Sequence, residues 1–118
     1  EAIIMVLAAT AQERAARSLG ARFACEIFAD RAYNPDATLV ARRKPGAIIH
    51  DAELAGQRMV EMVQAQAIIT EDGTRIETPI DTICCHGDTP EAVEIAASVR
   101  RTLEAVGITV TAFDGRTG

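Results

Sequence analysis

Apolar positions along the chain follow two periods. Residues 3–7 are an unbroken apolar run, which predicts a strand buried on both faces. Thr10, with Glu13 three positions later, is a capping-box pattern that opens a helix, and Gly20 stops it. Residues 22–28 read as the next strand, so the chain starts with a βαβ unit. From Ala29 to His50 the periodicity dissolves around Asn34-Pro35-Asp36 and Lys44-Pro45-Gly46. Loops of that length in small domains are functional or disordered. Asp51 predicts the N-cap of a helix reaching about Gln64, with Met59, Met62 and Val63 turned inward. Residues 67–70 and 74–77, split by Glu71-Asp72-Gly73, predict a β-hairpin, and residues 80–85 another buried strand. Thr89 and Pro90 predict the start of a last helix and Gly107 its end. Its apolar stripe is Ala92, Ile95, Ala96, Val99, Leu103 and Val106, with Arg100 and Arg101 suited to the negative end of the helix dipole. Residues 108–112 predict a final strand, and the tail from Asp114 on is expected to fray.

The layout is α/β, a single domain over residues 1–118, with about four parallel strands plus one hairpin. A closed (β/α) barrel needs roughly 200 residues or more, so this chain supplies about half of one. The expected architecture is a partial (β/α) barrel with two open sheet edges that another segment must cover. Glu1 in place of an initiator Met points the same way, to a preceding segment.

Composition narrows the function. Seventeen acidic against twelve basic residues, with one Tyr, three Phe and no Trp, argue against a nucleic-acid binder. No apolar run approaches a membrane span and no secretory leader is recognisable, so no membrane association is expected. Three cysteines, an odd number, give no disulfide framework and point to a reducing cytoplasm. The 31–50 segment is locally basic, with Arg31, Arg42, Arg43 and Lys44 against Asp36 alone. On charge alone that is a solvated loop.

Ligands of α/β proteins bind beyond the carboxyl ends of the strands. Two strand ends carry ionisable groups here: one delivers Glu26, Asp30 and Arg31, the other His86, Gly87 and Asp88 ahead of a helix. Gly87 permits close backbone approach, the helix N–H groups favour an anion, and His86 suits proton transfer near neutral pH. The alternative for His86 is to pack under a loop. Asp88 either accepts a proton or Mg²⁺, or merely assists capping. Glu26 and Asp30 form either a carboxylate pair for acid–base work or ion pairs to Arg31 or Arg42 that pin the loop. Tyr33 either donates to a ligand or packs at the loop base. No metal site is expected, since Cys84 and Cys85 are adjacent and point to opposite faces. Ser18 and Ser98 fall inside helices, which excludes a serine nucleophile elbow. Neither G-x-x-x-x-G-K-[ST] nor G-x-G-x-x-G occurs.

Four blocks carry a resemblance: Glu26-Ile27-Phe28-Ala29-Asp30-Arg31-Ala32-Tyr33, Leu39-Val40-Ala41-Arg42, Pro45-Gly46-Ala47, and Asp81-Thr82-Ile83-Cys84-Cys85-His86-Gly87-Asp88-Thr89. In order and spacing they resemble the LamB/YcsF family along nearly the whole chain. The resemblance implies a distorted (β/α) barrel related to the glycoside hydrolase/deacetylase superfamily. It also implies ATP-dependent cleavage of 5-oxoproline (pyroglutamate) to L-glutamate as the A subunit of 5-oxoprolinase, with B and C partner subunits and ATP bound with Mg²⁺. A five-membered lactam is a resonance-stabilised amide; phosphorylating its carbonyl oxygen creates the leaving group and activated carbon that water needs. Carried onto this chain, His86 and Asp88 serve proton transfer or the positioning of Mg²⁺ and water. Arg31 and Arg42 neutralise phosphate or the substrate carboxylate, Glu26 and Asp30 orient them, and Tyr33 lines the pocket.

Two departures stand out. Ala37 occupies a position where the family usually has Gly, and Cys85 replaces an aliphatic residue. The family's Asn-Cys-Asp-Leu-Gly-Glu-like, Gly-Phe-His-Ala-Gly-Asp-like and Lys-Pro-His-Gly-Ala-Leu-Tyr-like segments have no counterpart. The expectation is the carboxyl-terminal half of the barrel, inactive without the amino-terminal half. Two other readings are a non-catalytic truncated relative acting as a binding or assembly module, and a metal-dependent amide hydrolase or deacetylase.

Overall fold

The computed structural model describes residues 2–117. β1 (Ile4–Leu7), α1 (Ala11–Ser18) and β2 (Phe23–Phe28) form the predicted βαβ unit, with β1 and β2 parallel and Leu7 opposite Glu26. Thr10 accepts the Gln12 N–H at 3.3 Å, and Glu13 reaches back to the Ala9 N–H at 2.8 Å. Thr10 is thus the cap as expected, but the reciprocal box is not formed as such: the hydroxyl accepts at the second helical position instead of the third, and the Glu13 carboxylate takes the N–H one residue before the cap.

β2 is the central strand. β5 (Thr82–Cys84) pairs with it in parallel, giving a three-stranded sheet in the order β1-β2-β5. β3 (Ala67–Ile69) and β4 (Arg75–Glu77) make the predicted antiparallel hairpin as a separate two-stranded sheet. The expected fourth parallel strand is absent: residues 108–112 follow α3 (Ala92–Ala105) without joining the sheet. A β-prone run becomes a strand only when an edge accepts its hydrogen bonds.

Burial corrects two further expectations. β1 is an edge strand, with Ile4 48% and Met5 53% exposed, and β5 is half-buried throughout. Of the three parallel strands only β2, flanked on both sides, is dry along most of its length: Phe23, Cys25 and Ile27 are fully enclosed. Those three share a core with Met59 and Met62 of α2 (Ala52–Ala65) and with Ile95, Val99 and Leu103 of α3. The Asp51 carboxylate caps α2 by accepting from the Glu53 and Leu54 N–H groups. Gly56 lets the two long helices meet, since a Cβ there would lie 2.7 Å from Ser98 Oγ and also strike Thr102. Ser98 is accordingly buried on α3, whereas Ala96 and Val106 of the expected stripe are exposed.

The N-terminus of α3 also differs from expectation. Thr89 and Pro90 form a turn, Glu91 is the N-cap without a side-chain bond, and the helix starts at Ala92. Its last turn holds no basic residue, and Arg100 pairs instead with Glu104 at 3.4 Å. Gly107, at φ 86°, ends the helix as predicted. The tail is not frayed over its described residues. Arg116 exchanges two backbone hydrogen bonds with Phe23 (2.8 and 3.0 Å), and its guanidinium grips the buried Asp81 carboxylate. Gly118 lies outside the described residues.

Candidate functional site

The segment after β2 is irregular but tightly held. Two isolated bridges, Arg31 to Ile48 and Tyr33 to Leu39, fold it back on itself. Ala32, Val40 and Ala47 form a small apolar nucleus inside it. The turn beneath Asp36 needs a left-handed residue and takes Ala37 at φ 72°. This is the position the sequence marks as unusual.

That loop carries Asp30 to the carboxyl end of the sheet, where the chain leaving β5 arrives with His86. The Asp30 carboxylate, 6% exposed, accepts the His86 backbone N–H at 2.9 Å. It also faces His86 Nδ1, at 2.8 Å from Oδ1 and 2.9 Å from Oδ2. The imidazole is 27% exposed and its centroid lies 5.2 Å from the Phe28 ring. A carboxylate on Nδ1 fixes that nitrogen as the donor and leaves Nε2 as the acceptor. The two strand ends thus open onto one rim, and two distant segments of sequence build one acid–base pair.

The other expected residues fall around it unequally. Glu26 is half-buried and points to the same sheet face as Phe28; burial raises its carboxyl above the usual range and His86 pulls it back. Arg42 and Asp88, both on the exposed rim, approach to 3.7 Å. At 50% and 61% exposure this is a weak, solvated contact that leaves both heads free to meet a ligand. Gly87 is exposed, and a Cβ there would touch nothing, so no contact within the chain demands glycine.

Three expectations need correction. Asp30 does not orient Arg31 or Arg42: its carboxylate is occupied by His86, and Arg42 turns to Asp88. Arg31 is 9% exposed, donates from Nη2 to Val40 O at 2.8 Å, and keeps a buried Nε without a partner. Tyr33 packs rather than lining an open pocket; its hydroxyl accepts the Phe28 N–H at 3.1 Å, and burial pushes its phenol up to about 12. Cys84, beside Glu26 and Asp30, has its thiol pushed up to about 11, chiefly by burial.

One participant has no sequence signal strong enough to mark it. Arg58 of α2 reaches under the loop and donates to Ala29 O at 2.7 Å and to Arg31 O at 2.9 Å. The one hint is its place next to Met59 on the border of the buried face, where an arginine must run its stem over apolar surface. Among the described residues no group of three His, Cys, Asp or Glu side chains is arranged to hold a metal ion, and no helix is long and apolar enough to cross a membrane.

Known proteins share this geometry's sequence and fold. The LamB/YcsF family matches residues 1–118. A protein of Ruegeria pomeroyi, named as the A subunit of 5-oxoprolinase, is 63% identical over 95% of this chain. One of Thermococcus onnurineus with the same name is 52% identical over 92%. The crystal structure of a lactam utilization protein from Thermus thermophilus superposes with a TM-score of 0.82 at 38% identity, covering 94% of this chain. This chain spans only 44%, 42% and 44% of those three proteins.

Proposed function

The chain belongs to the LamB/YcsF family, and on that footing we propose that it contributes one wall of the active site of a 5-oxoprolinase A subunit. That subunit would open the lactam ring of 5-oxoproline to give L-glutamate at the expense of ATP, together with B and C subunits in a reducing cytoplasm. The names of the relatives, and of the Thermus lactam utilization protein, support the substrate class. In this reading residues 1–118 form the carboxyl-terminal half of a (β/α) barrel. The half is inactive without the amino-terminal half, whose acidic and histidine residues would face it across the barrel mouth.

The observation that carries the reading is the Asp30–His86 pair on the carboxyl rim of the sheet. Lactam opening needs a proton taken from water and a proton given to the departing ring nitrogen. His86, with Nδ1 directed at Asp30, has Nε2 free to take the first. Glu26, held above the usual carboxyl range by burial, is suited to holding a proton for the second. Arg42 is the exposed cation at the rim, and its loose hold on Asp88 lets it turn to the substrate carboxylate or to phosphate. Arg31, bound to Val40 O, steadies the loop that presents Arg42. When bound, ATP supplies the phosphoryl group that converts the lactam oxygen into a leaving group. Water then adds to the ring carbon, the C–N bond breaks as nitrogen takes its proton, and a second water releases phosphate from the resulting acyl phosphate. Mg²⁺ bound with ATP would need only one or two carboxylates besides the phosphates, and the exposed Asp88 on the rim is the candidate carboxylate.

The test is His86→Gln in the complete enzyme, with both halves of the barrel and the partner subunits present, assayed for ATP-dependent glutamate release. The expected loss is roughly 10²–10⁴-fold, the usual contribution of a positioned acid–base group. Unchanged turnover would remove His86 from the chemistry.

A further inference from the structure

We infer that Arg58 is the positioning residue of the Asp30–His86 pair. It touches neither side chain's working atoms. Its guanidinium instead straddles Asp30: Nη1 donates to the carbonyl of the preceding residue, Ala29, at 2.7 Å, and Nη2 to that of the following residue, Arg31, at 2.9 Å. A planar fork of donors fixes the relative orientation of two acceptors, which a single point donor cannot do. The Ala29–Asp30 and Arg31–Ala32 peptide groups, which bracket Asp30, are therefore locked to α2.

The rest of the Asp30 backbone is equally committed. Its carbonyl accepts the Ile49 N–H at 2.9 Å, and the Ala29 N–H donates to Cys84 O at 3.0 Å, at the end of the neighbouring strand. With these bonds and the fork in place, the Cα–Cβ direction of Asp30 is set. Its carboxylate then meets the His86 N–H and Nδ1 together. Remove the fork, and Ala29 and Arg31 keep buried or nearly buried carbonyls without their donors in a segment that has no strand or helix to hold it. The chain turns at Asp30 would relax, and the carboxylate would lose its registration on the imidazole. The charge adds a second influence. Burial pulls the Arg58 guanidinium down from its usual range, while Tyr33 and Asp30 act in the opposite direction, so the cation is close enough to Asp30 to be felt.

A purely structural arginine would stabilise the fold without altering the imidazole. The experiment separates the two by reading His86 in the complete A subunit with ¹⁵N–¹H NMR, its ring signals assigned by their loss in His86→Gln and so distinguished from those of His50 and of the amino-terminal half. The wild-type chain is expected to show a protected Nδ1–H. In Arg58→Lys, which keeps the charge but reaches only one carbonyl, and in Arg58→Gln, that proton should exchange with water at least tenfold faster and the Nε2–H tautomer should gain population. Arg75→Gln, at an exposed position of β4, should leave the signals unchanged. Wild-type exchange and tautomer in folded Arg58→Lys would overturn the inference. Failure of Arg58→Lys to fold would overturn it too, because Arg58 would then be a stability element. The catalytic meaning of the inference rests on the reading of His86 as a proton-transfer group, and the two fail separately. Full activity of the complete enzyme carrying His86→Gln would sink that reading and leave the NMR result standing.

Discussion

Asp30→Asn tests the site at its most constrained atom pair. The substitution keeps volume and shape but removes one acceptor. The carboxylate offers Oδ2 to the His86 backbone N–H at 2.9 Å and Oδ1 to Nδ1 at 2.8 Å; an amide has one oxygen and must turn its NH₂ against the other donor. At 6% exposure of the Asp30 side chain, water has little access to repair the mismatch. The ring, 27% exposed, has room to swing aside, but the backbone N–H has none. Hydrogen bonds to a charged group contribute about 1.5–3 kcal/mol each. With the ring free to escape, the loss sits in the lower half of that range, about 2 kcal/mol. For a chain of this length that lowers Tm by roughly 8 °C. Urea unfolding followed by circular dichroism should show a lower midpoint at unchanged slope, the signature of lost stability without a change in exposed surface. In the complete enzyme the same variant should lower kcat by roughly 10²-fold or more while leaving KM within a small factor. Stability within about 0.5 kcal/mol of wild type, the range of an inconsequential surface change, would refute the claim that the carboxylate is fully engaged by His86.

Ala37→Gly should raise stability by about 0.5–1 kcal/mol, because the left-handed backbone at φ 72° strains any residue with a Cβ; a lower unfolding midpoint would show that packing of the buried methyl outweighs the strain. Acid should unfold the chain through Glu13 and Asp81. Burial tends to raise both, but hydrogen bonds outweigh it (Ala9 and Arg17 on Glu13, Arg116 and Cys25 on Asp81), so both carboxyls sit below their ordinary values. Since the folded values are the lower ones, their contribution is present at neutral pH and is lost as pH falls below about 4. Arg116→Ala should make that acid limb shallower, and an unchanged limb would exclude the Asp81 contact as its cause. Burial holds Cys25 up to about 12 and Cys84 up to about 11, so both are thiols at pH 8. Native chain should react with iodoacetamide at least tenfold more slowly than urea-unfolded chain, and rapid native labelling of Cys84 would contradict the assignment.

What the sequence made legible was local. The Asp51 cap, the Thr10 cap and the Gly107 stop are each written within a few residues, and each stands in the structure. The hairpin around Glu71-Asp72-Gly73 is equally self-contained. Residues 108–112 carry a strand pattern yet form none, because strand formation depends on a neighbouring edge rather than on the segment itself. At the site, the residue types at the two strand ends were readable and their partnership was not. Asp30 and His86 are separated by 56 positions, as is the Cys25–Asp81 contact, and no periodicity encodes which carboxylate meets which donor. Matching acid to base by sign alone pairs Asp30 with arginine. Burial decides otherwise: the enclosed carboxylate takes two donors from one residue, whereas Arg42 and Asp88 remain on the solvated rim.

The alternation of β2 explains why one short strand serves both stability and chemistry. Phe23, Cys25 and Ile27 face the helices and are fully dry, which makes that side of the strand the anchor of the core. Ala24, Glu26 and Phe28 face the other way, level with Met5 and Leu7 of β1 and with Thr82 and Cys84 of β5. That second face is wet toward its edge, with Met5 more than half exposed, and polar where β2 meets β5. A one-residue slip of β2 would exchange the two sets, sending Glu26 into the helix-packed core and Ile27 to the open side. Burying an unpaired carboxylate costs several kcal/mol or more, so the register is strongly defended. The position of Glu26 on the sheet face it shares with Phe28 is therefore secured by the same hydrophobic contacts that hold the sheet to its helices, and a substitution that loosened Ile27 or Phe23 would reach the site without touching it.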